Sequence, residues 1–172
     1  MLHTQYPNTQ YPNIPSSRPT WLEIDIDALA DNVRALRRIV GPARQLFAVV
    51  KADAYGHGAQ IVGPAALTAG ADRLAVATLG EGVALRQAGV VAPILLLGYT
   101  PGHWGEELLR WNLAATLFDA ETARHWSAAA LAAGSQIAVH VKVDTGMHRL
   151  GLAVADVLGF FFQLATLPGL YV

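Results

Sequence analysis

From residue 46 onward, short apolar runs alternate with helix-forming stretches, and no other feature of the chain limits its fold so strongly. Strands are read at residues 46–51, 74–77, 93–97, 114–118 and 137–144, with the start of another at 170–172. Helices are read between them, at about residues 59–69, 81–87, 105–111, 120–133 and 155–166, several closed by a glycine such as Gly70, Gly89 or Gly134. Ahead of this series, residues 21–26 alternate as a strand would. Asp27 is placed to cap a helix over 28–40 that Gly41 and Pro42 end.

Strands separated by helices pair in parallel through crossovers, which makes the fold α/β. An open doubly wound sheet and a (β/α)8 TIM-type barrel both meet that description. No Gly-x-Gly-x-x-Gly follows the first strand, which weakens the nucleotide-binding open sheet and favours the barrel. A whole barrel takes about 250 residues. This chain has 172 and supplies five strands after residue 46 and the beginning of a sixth, so an incomplete barrel is expected. Val172 lies in an apolar, strand-like run, and an unpaired parallel edge is a poor place for a domain to stop. The chain is therefore expected to be a fragment of a longer protein.

Residues 1–20 form a separate expectation. Thr-Gln-Tyr-Pro-Asn occurs at 4–8 and again at 9–13, and Pro15 and Pro19 follow. Proline this dense denies the segment a helix or central strand, so 1–20 reads as a flexible tail and 21–172 as the folded part. A net charge of −1 gives no electrostatic reason for a nucleic-acid partner. No apolar run approaches the roughly 20 residues of a membrane span, and no signal peptide is recognisable. The absence of cysteine excludes disulfides and thiolate chemistry and agrees with a cytoplasmic protein.

Two segments carry chemistry. Along 137–144, Ile137, Val139, Val141 and Val143 share one face, and Ala138, His140, Lys142 and Asp144 the other. In a barrel the apolar face meets helices and the polar face points inside, where unpaired charge is costly and marks a site. On an edge strand the same polar face would simply meet water. Arg149 follows in the next loop, at the end of the strand where barrels build active sites. Its planar donor fork suits a phenolate or carboxylate, although a surface ion pair is the commoner role of a loop arginine.

The second segment is Val-Val-Lys-Ala-Asp-Ala-Tyr-Gly-His-Gly at 49–58. Lys51 ends a strand at the same barrel mouth, where a lysine can serve as a Schiff-base former or merely reach solvent. Gly56 and Gly58 permit a sharp turn, and a helix N-terminus after them could receive a phosphate, with the Tyr55 hydroxyl beside it. His57 reads as a turn residue. His3, His103 and His125 are scattered, and no histidine–carboxylate spacing suggests a metal site.

Residues 49–58 resemble the pyridoxal-phosphate (PLP) lysine signature of the alanine racemase family. Residues 141–151, Val-Lys-Val-Asp-Thr-Gly-Met-His-Arg-Leu-Gly, resemble its second conserved block. The resemblance runs from about residue 21 to residue 172 and implies a PLP-dependent barrel of fold type III. It further implies that Lys51 holds PLP as a Schiff base and is the base for the D-alanine α-proton, and that Tyr55 binds the cofactor phosphate. Arg149 would contact the PLP ring hydroxyl and lie near the substrate carboxylate. Lys142 would match a lysine carbamylated in some members, and Leu97 would pack against the PLP ring. Family members are homodimers that supply D-alanine for the cell wall. Their second base is a tyrosine of a C-terminal domain in the partner subunit, so this polypeptide alone is expected to have little or no racemase activity. Other PLP barrels, such as the PLP-homeostasis proteins and basic amino-acid decarboxylases, share a strand-end lysine without the two full motifs. A serine or broad-specificity racemase would share both. A non-catalytic, self-associating half-barrel is the reading from a different class.

Overall fold

The computed structural model describes residues 22–172, so the expected tail at 1–20 lies outside the described residues. The chain enters without strand structure through residues 22–25 and turns directly into helix α1 (Ile26–Val40). The strand expected at 21–26 is thus absent over its described part, and the cap is Asp25 rather than Asp27. The reason is local: Asp25 is extended, and its carboxylate accepts the Ala28 amide at 2.9 Å, filling one of the helix's free donors.

Six parallel strands follow: β1 (Phe47–Val49), β2 (Arg73–Val76), β3 (Ile94–Leu96), β4 (Ala114–Leu117), β5 (Ile137–Val141) and β6 (Leu170–Tyr171). Between them lie α2 (Lys51–Tyr55), α3 (Ala59–Thr68), α4 (Leu79–Gln87), α5 (Gly105–Arg110), α6 (Ala120–Ala132) and α7 (Val157–Leu164). The strand order is β1-β2-β3-β4-β5-β6, each strand beside its predecessor. A doubly wound sheet reverses its order at a switch point; this one never does, as a barrel requires. β5 is flanked by β4 and β6, which removes the edge-strand reading of its polar face.

The sheet also curls. The rings of Phe47 on β1 and His140 on β5 meet edge to face, with centroids 6.0 Å apart, although three strands lie between them in the sheet. Arg73, in register with Phe47 on β2, lies 5.7 Å from the same ring. These three side chains therefore share the concave, interior face. The opposite parity (Leu74, Val76, Ile94, Leu96, Ala115, Leu117, Ile137, Val139) is buried in the core shared with the helices. The helices sit close enough that glycines are needed: a Cβ on Gly63 of α3 would lie 3.0 Å from Leu74, and one on Gly82 of α4 would lie 3.0 Å from Leu113.

Two arginines fasten the end of the barrel away from the strand C-termini. Arg37 of α1 donates to the carbonyls of Gly70, Gly41 and Arg44 and pairs with Asp72. Asp72 also accepts the Leu46 amide, and that bond, then Arg37, holds its carboxyl below the usual range. Arg86 of α4 repeats the device, donating to the carbonyls of Trp111, Val90, Ala92 and Asn112. Each fork gathers the carbonyls of several loop residues onto one guanidinium.

Candidate active site

Parallel order puts the C-terminal ends of all strands on one rim, and the residues singled out by sequence gather there. Lys51 follows β1, Leu97 follows β3, and Lys142 follows β5. Leu97 still belongs to the ladder through its amide bond to the Val76 carbonyl (2.8 Å), so it shares the interior parity of Leu95. Lys142 bonds likewise to Leu117 (2.9 Å) and shares the interior parity of His140. The alternation read along 137–144 is observed through residue 142: Ile137, Val139 and Val141 belong to the core, and His140 and Lys142 share the interior parity, whereas Asp144 turns to the loop that follows.

Lys51 does not end the strand as the sequence suggested. β1 stops at Val49, and Lys51 begins α2, a single turn wound left-handed. Ala52, Asp53 and Ala54 all lie near φ 52 and ψ 47, and Tyr55 has φ 55. L-residues pay roughly 1–2 kcal/mol each in this conformation. The turn persists because its polar groups are held from several sides. The Ala54 amide bonds to Val50, the Ala52 amide to the Glu81 carboxylate (2.8 Å), and the Asp53 carboxylate accepts the Ala59 amide (2.7 Å). Gly56 and Gly58, at φ 86 and 87, release the chain into α3. His57 bonds through ring Nδ1 to the Ala54 carbonyl (2.9 Å), a turn residue as expected. The α3 N-terminus, by contrast, is already occupied by Asp53 at its first amide, which argues against it as the phosphate seat.

Winding the turn left-handed brings Tyr55 back over the lysine: Lys51 Nζ lies 5.9 Å from the centre of the Tyr55 ring. Tyr55 is exposed, and the Lys51 amine has no hydrogen-bond or ion-pair partner among the described residues. Arg149 lies in the exposed loop after β5, and its guanidinium likewise has no hydrogen-bond or ion-pair partner among the described residues. That loop is organised by Asp144, whose carboxylate accepts the Gly146 and His148 amides (3.0 Å each) and meets His148 Nδ1 at 3.0 Å. The two amides, then His148, keep the Asp144 carboxyl below its ordinary range. The loop returns as a strand-like bridge, Val143 to Leu152, with Gly151 pressed against the Asp144 backbone.

Two participants escaped the sequence reading. Glu81 bonds to the turn that carries Lys51; a Thr-x-x-Glu capping box at 78–81 was visible, but its reach to α2 was not. Arg73 lies on the barrel floor below the rim, beside His140, where burial and then the Arg73 charge push the imidazole pKa down. Among the described residues no cluster of three or more histidines, cysteines or carboxylates could hold a metal, and no helix is long and apolar enough to cross a membrane.

Residues 24–172 match the model of the alanine racemase N-terminal domain. An alanine racemase of Synechocystis sp. is 50% identical over 151 residues, a match spanning 87% of this chain and 41% of that protein. Among solved structures, the alanine racemase of Clostridium difficile 630 superposes with a TM-score of 0.85 at 35% identity, over 92% of this chain and 42% of its own. That of Bacillus anthracis, with bound L-Ala-P, gives 0.83 at 37% identity, over 92% and 41%. The chain thus spans about two fifths of the length of the relatives it matches.

Proposed function

The chain belongs to the alanine racemase family, whose N-terminal domain it carries, and from that premise we propose that it contributes the cofactor lysine and one catalytic base to a PLP-dependent interconversion of L- and D-alanine. The observation that carries the reading is the state of the rim. A lysine amine and an exposed tyrosine lie together, an arginine lies in the rim loop after β5, and neither the amine nor the guanidinium is spent on an internal partner among the described residues. Those are the groups an aldehyde, a phosphate and a ring hydroxyl require, so the residues present fit PLP. The structure of the Bacillus anthracis relative with bound L-Ala-P supports alanine as the substrate.

In this reading Lys51 Nζ would hold the cofactor, the Tyr55 hydroxyl would bind its phosphate, Arg149 would contact its ring oxygen, and Leu97 would pack against its ring. When bound, PLP supplies the electron sink that makes the substrate Cα–H labile. Lys51 Nζ, released from the cofactor when the substrate amine takes its place, would then move the proton at Cα on one face. Inversion needs a second base on the opposite face, so the single lysine explains one direction of proton delivery and not the whole exchange. Arg149, always charged, also draws the substrate carboxylate to the rim. Lys142, just past β5 on its interior parity, would steady Arg149 if carbamylated, a role that rests on the family resemblance. Cytoplasmic residence, a homodimeric assembly and D-alanine supply for the cell wall belong to the same proposal and rest on the family resemblance alone.

The test is to add PLP to the purified chain, reduce with borohydride and map the labelled peptide by mass spectrometry. We expect label on Lys51, lost in Lys51→Ala. Label scattered over surface amines, undiminished in Lys51→Ala, would remove Lys51 as the cofactor lysine.

A further inference from the structure

The turn that carries Lys51 is bonded to a side chain of another element. Glu81, at the third position of α4, uses both carboxylate oxygens. Oε2 accepts the amides of Ala77 (2.6 Å) and Thr78 (3.2 Å), and Oε1 accepts the amide of Ala52 (2.8 Å). A capping box requires only the Thr78 contact. The other two bonds tie the end of β2 to the first residue after Lys51. Ala52 is also where the backbone enters the left-handed turn, at φ 51. Its amide has no carbonyl to use within the turn, which has only just begun, and Glu81 supplies the acceptor. A strained conformation lasts only where its surroundings over-determine it. Here the over-determining bond is adjacent to the peptide that fixes the direction of the Lys51 side chain.

We propose that Glu81 is a positioning residue for Lys51: its carboxylate clamps the Ala52 amide to β2 and so holds the left-handed turn that presents the amine at the barrel mouth. The role depends on two oxygens on opposite sides of one carboxylate. Glutamine has a single acceptor oxygen, so its NH2 would face one of the amides. Aspartate is one methylene shorter and can keep the cap while losing Ala52.

The proposal rests on Lys51 being the cofactor lysine, and its test separates the two. The full chain is compared with Glu81→Ala, Glu81→Gln, Glu81→Asp and, as a control for capping alone, Thr78→Ala. Amide hydrogen exchange is followed in residues 51–56 relative to the β3 and β4 peptides, which corrects for any global loss of stability. Labelling of Lys51 by PLP and borohydride is followed in parallel. Glu81→Ala and Glu81→Asp are expected to speed exchange across 51–56 by about tenfold or more and to slow Lys51 labelling by a similar factor, with Glu81→Gln in between. Thr78→Ala lowers the melting temperature and leaves both local readouts unchanged. Wild-type exchange across 51–56 in Glu81→Ala would overturn the clamp, and so would loss of Lys51 labelling in Thr78→Ala equal to that in Glu81→Ala. Unselective labelling of the wild-type chain would defeat the cofactor reading, while the exchange data would still decide the clamp.

Discussion

At the scale of single residues, two positions give sharp expectations. Gly151 has φ 122, and a Cβ there would stand 2.7 Å from the Asp144 amide nitrogen and 3.0 Å from the Val143 carbonyl carbon. Both are backbone atoms that cannot swing aside, so Gly151→Ala is expected to cost about 1–3 kcal/mol in urea unfolding. It should also disorder the loop that holds Arg149, read as weaker PLP retention. His140 makes a prediction in pH. Partial burial, then the Arg73 charge, lowers its folded-state pKa below the ordinary 6.5. The unfolded chain therefore takes up the proton first, and stability rises with pH through the window below that value. Urea midpoints measured between about pH 5 and 7 should climb, and His140→Gln should flatten the climb. An unchanged slope in that variant would mean that His140 does not feel Arg73 or the barrel floor.

Among the elements, the left-handed turn has the most to say. Ala52 is exposed and sits at φ 51, a conformation a β-branched side chain tolerates worse than alanine does. Ala52→Val should therefore destabilise the chain by about 1–2 kcal/mol and slow Lys51 labelling, although no packing contact is lost. Substitution by valine on the exposed face of α6, as at Ala128, should cost about half a kcal/mol and leave labelling alone. This turn also marks the limit of what could be read from sequence. Periodicity is a property of regular elements, so the core strands and most helices were legible to within a few residues. The division of 137–142 into a core face and a lining face was legible for the same reason. Nothing in Lys-Ala-Asp-Ala-Tyr signals four positive φ values in a row, because only the aspartate visits that conformation with any frequency; Glu81, Asp53 and the two glycines that follow hold the turn there. Residues 22–25 fail in the opposite sense. Their local alternation is real, but no neighbouring strand pairs with them, and the Asp25 carboxylate begins a helix instead.

For the molecule as a whole, curvature is the decisive property. A flat sheet of the same six strands would leave Phe47 and His140 far apart, yet their rings meet, so the rim that parallel order gives to Lys51, Leu97 and Lys142 is a curved one. In the proposed function this rim would hold PLP, with Lys51 as the base for one face of the substrate. The 172-residue polypeptide, assayed by itself with PLP and L-alanine, is accordingly expected to form D-alanine at less than about a thousandth of the rate of a full-length relative, as followed by chiral chromatography. Turnover near that of the relatives would show that the second base lies within these residues. The order of the strands has one more consequence. Every strand lies against the one made just before it, so each new unit leaving the ribosome finds its docking surface already in place and never has to wait for a distant stretch of chain to be translated. The ring contact between the first strand and the fifth is the exception, and it makes the hollow of the barrel a late event in the life of the nascent chain.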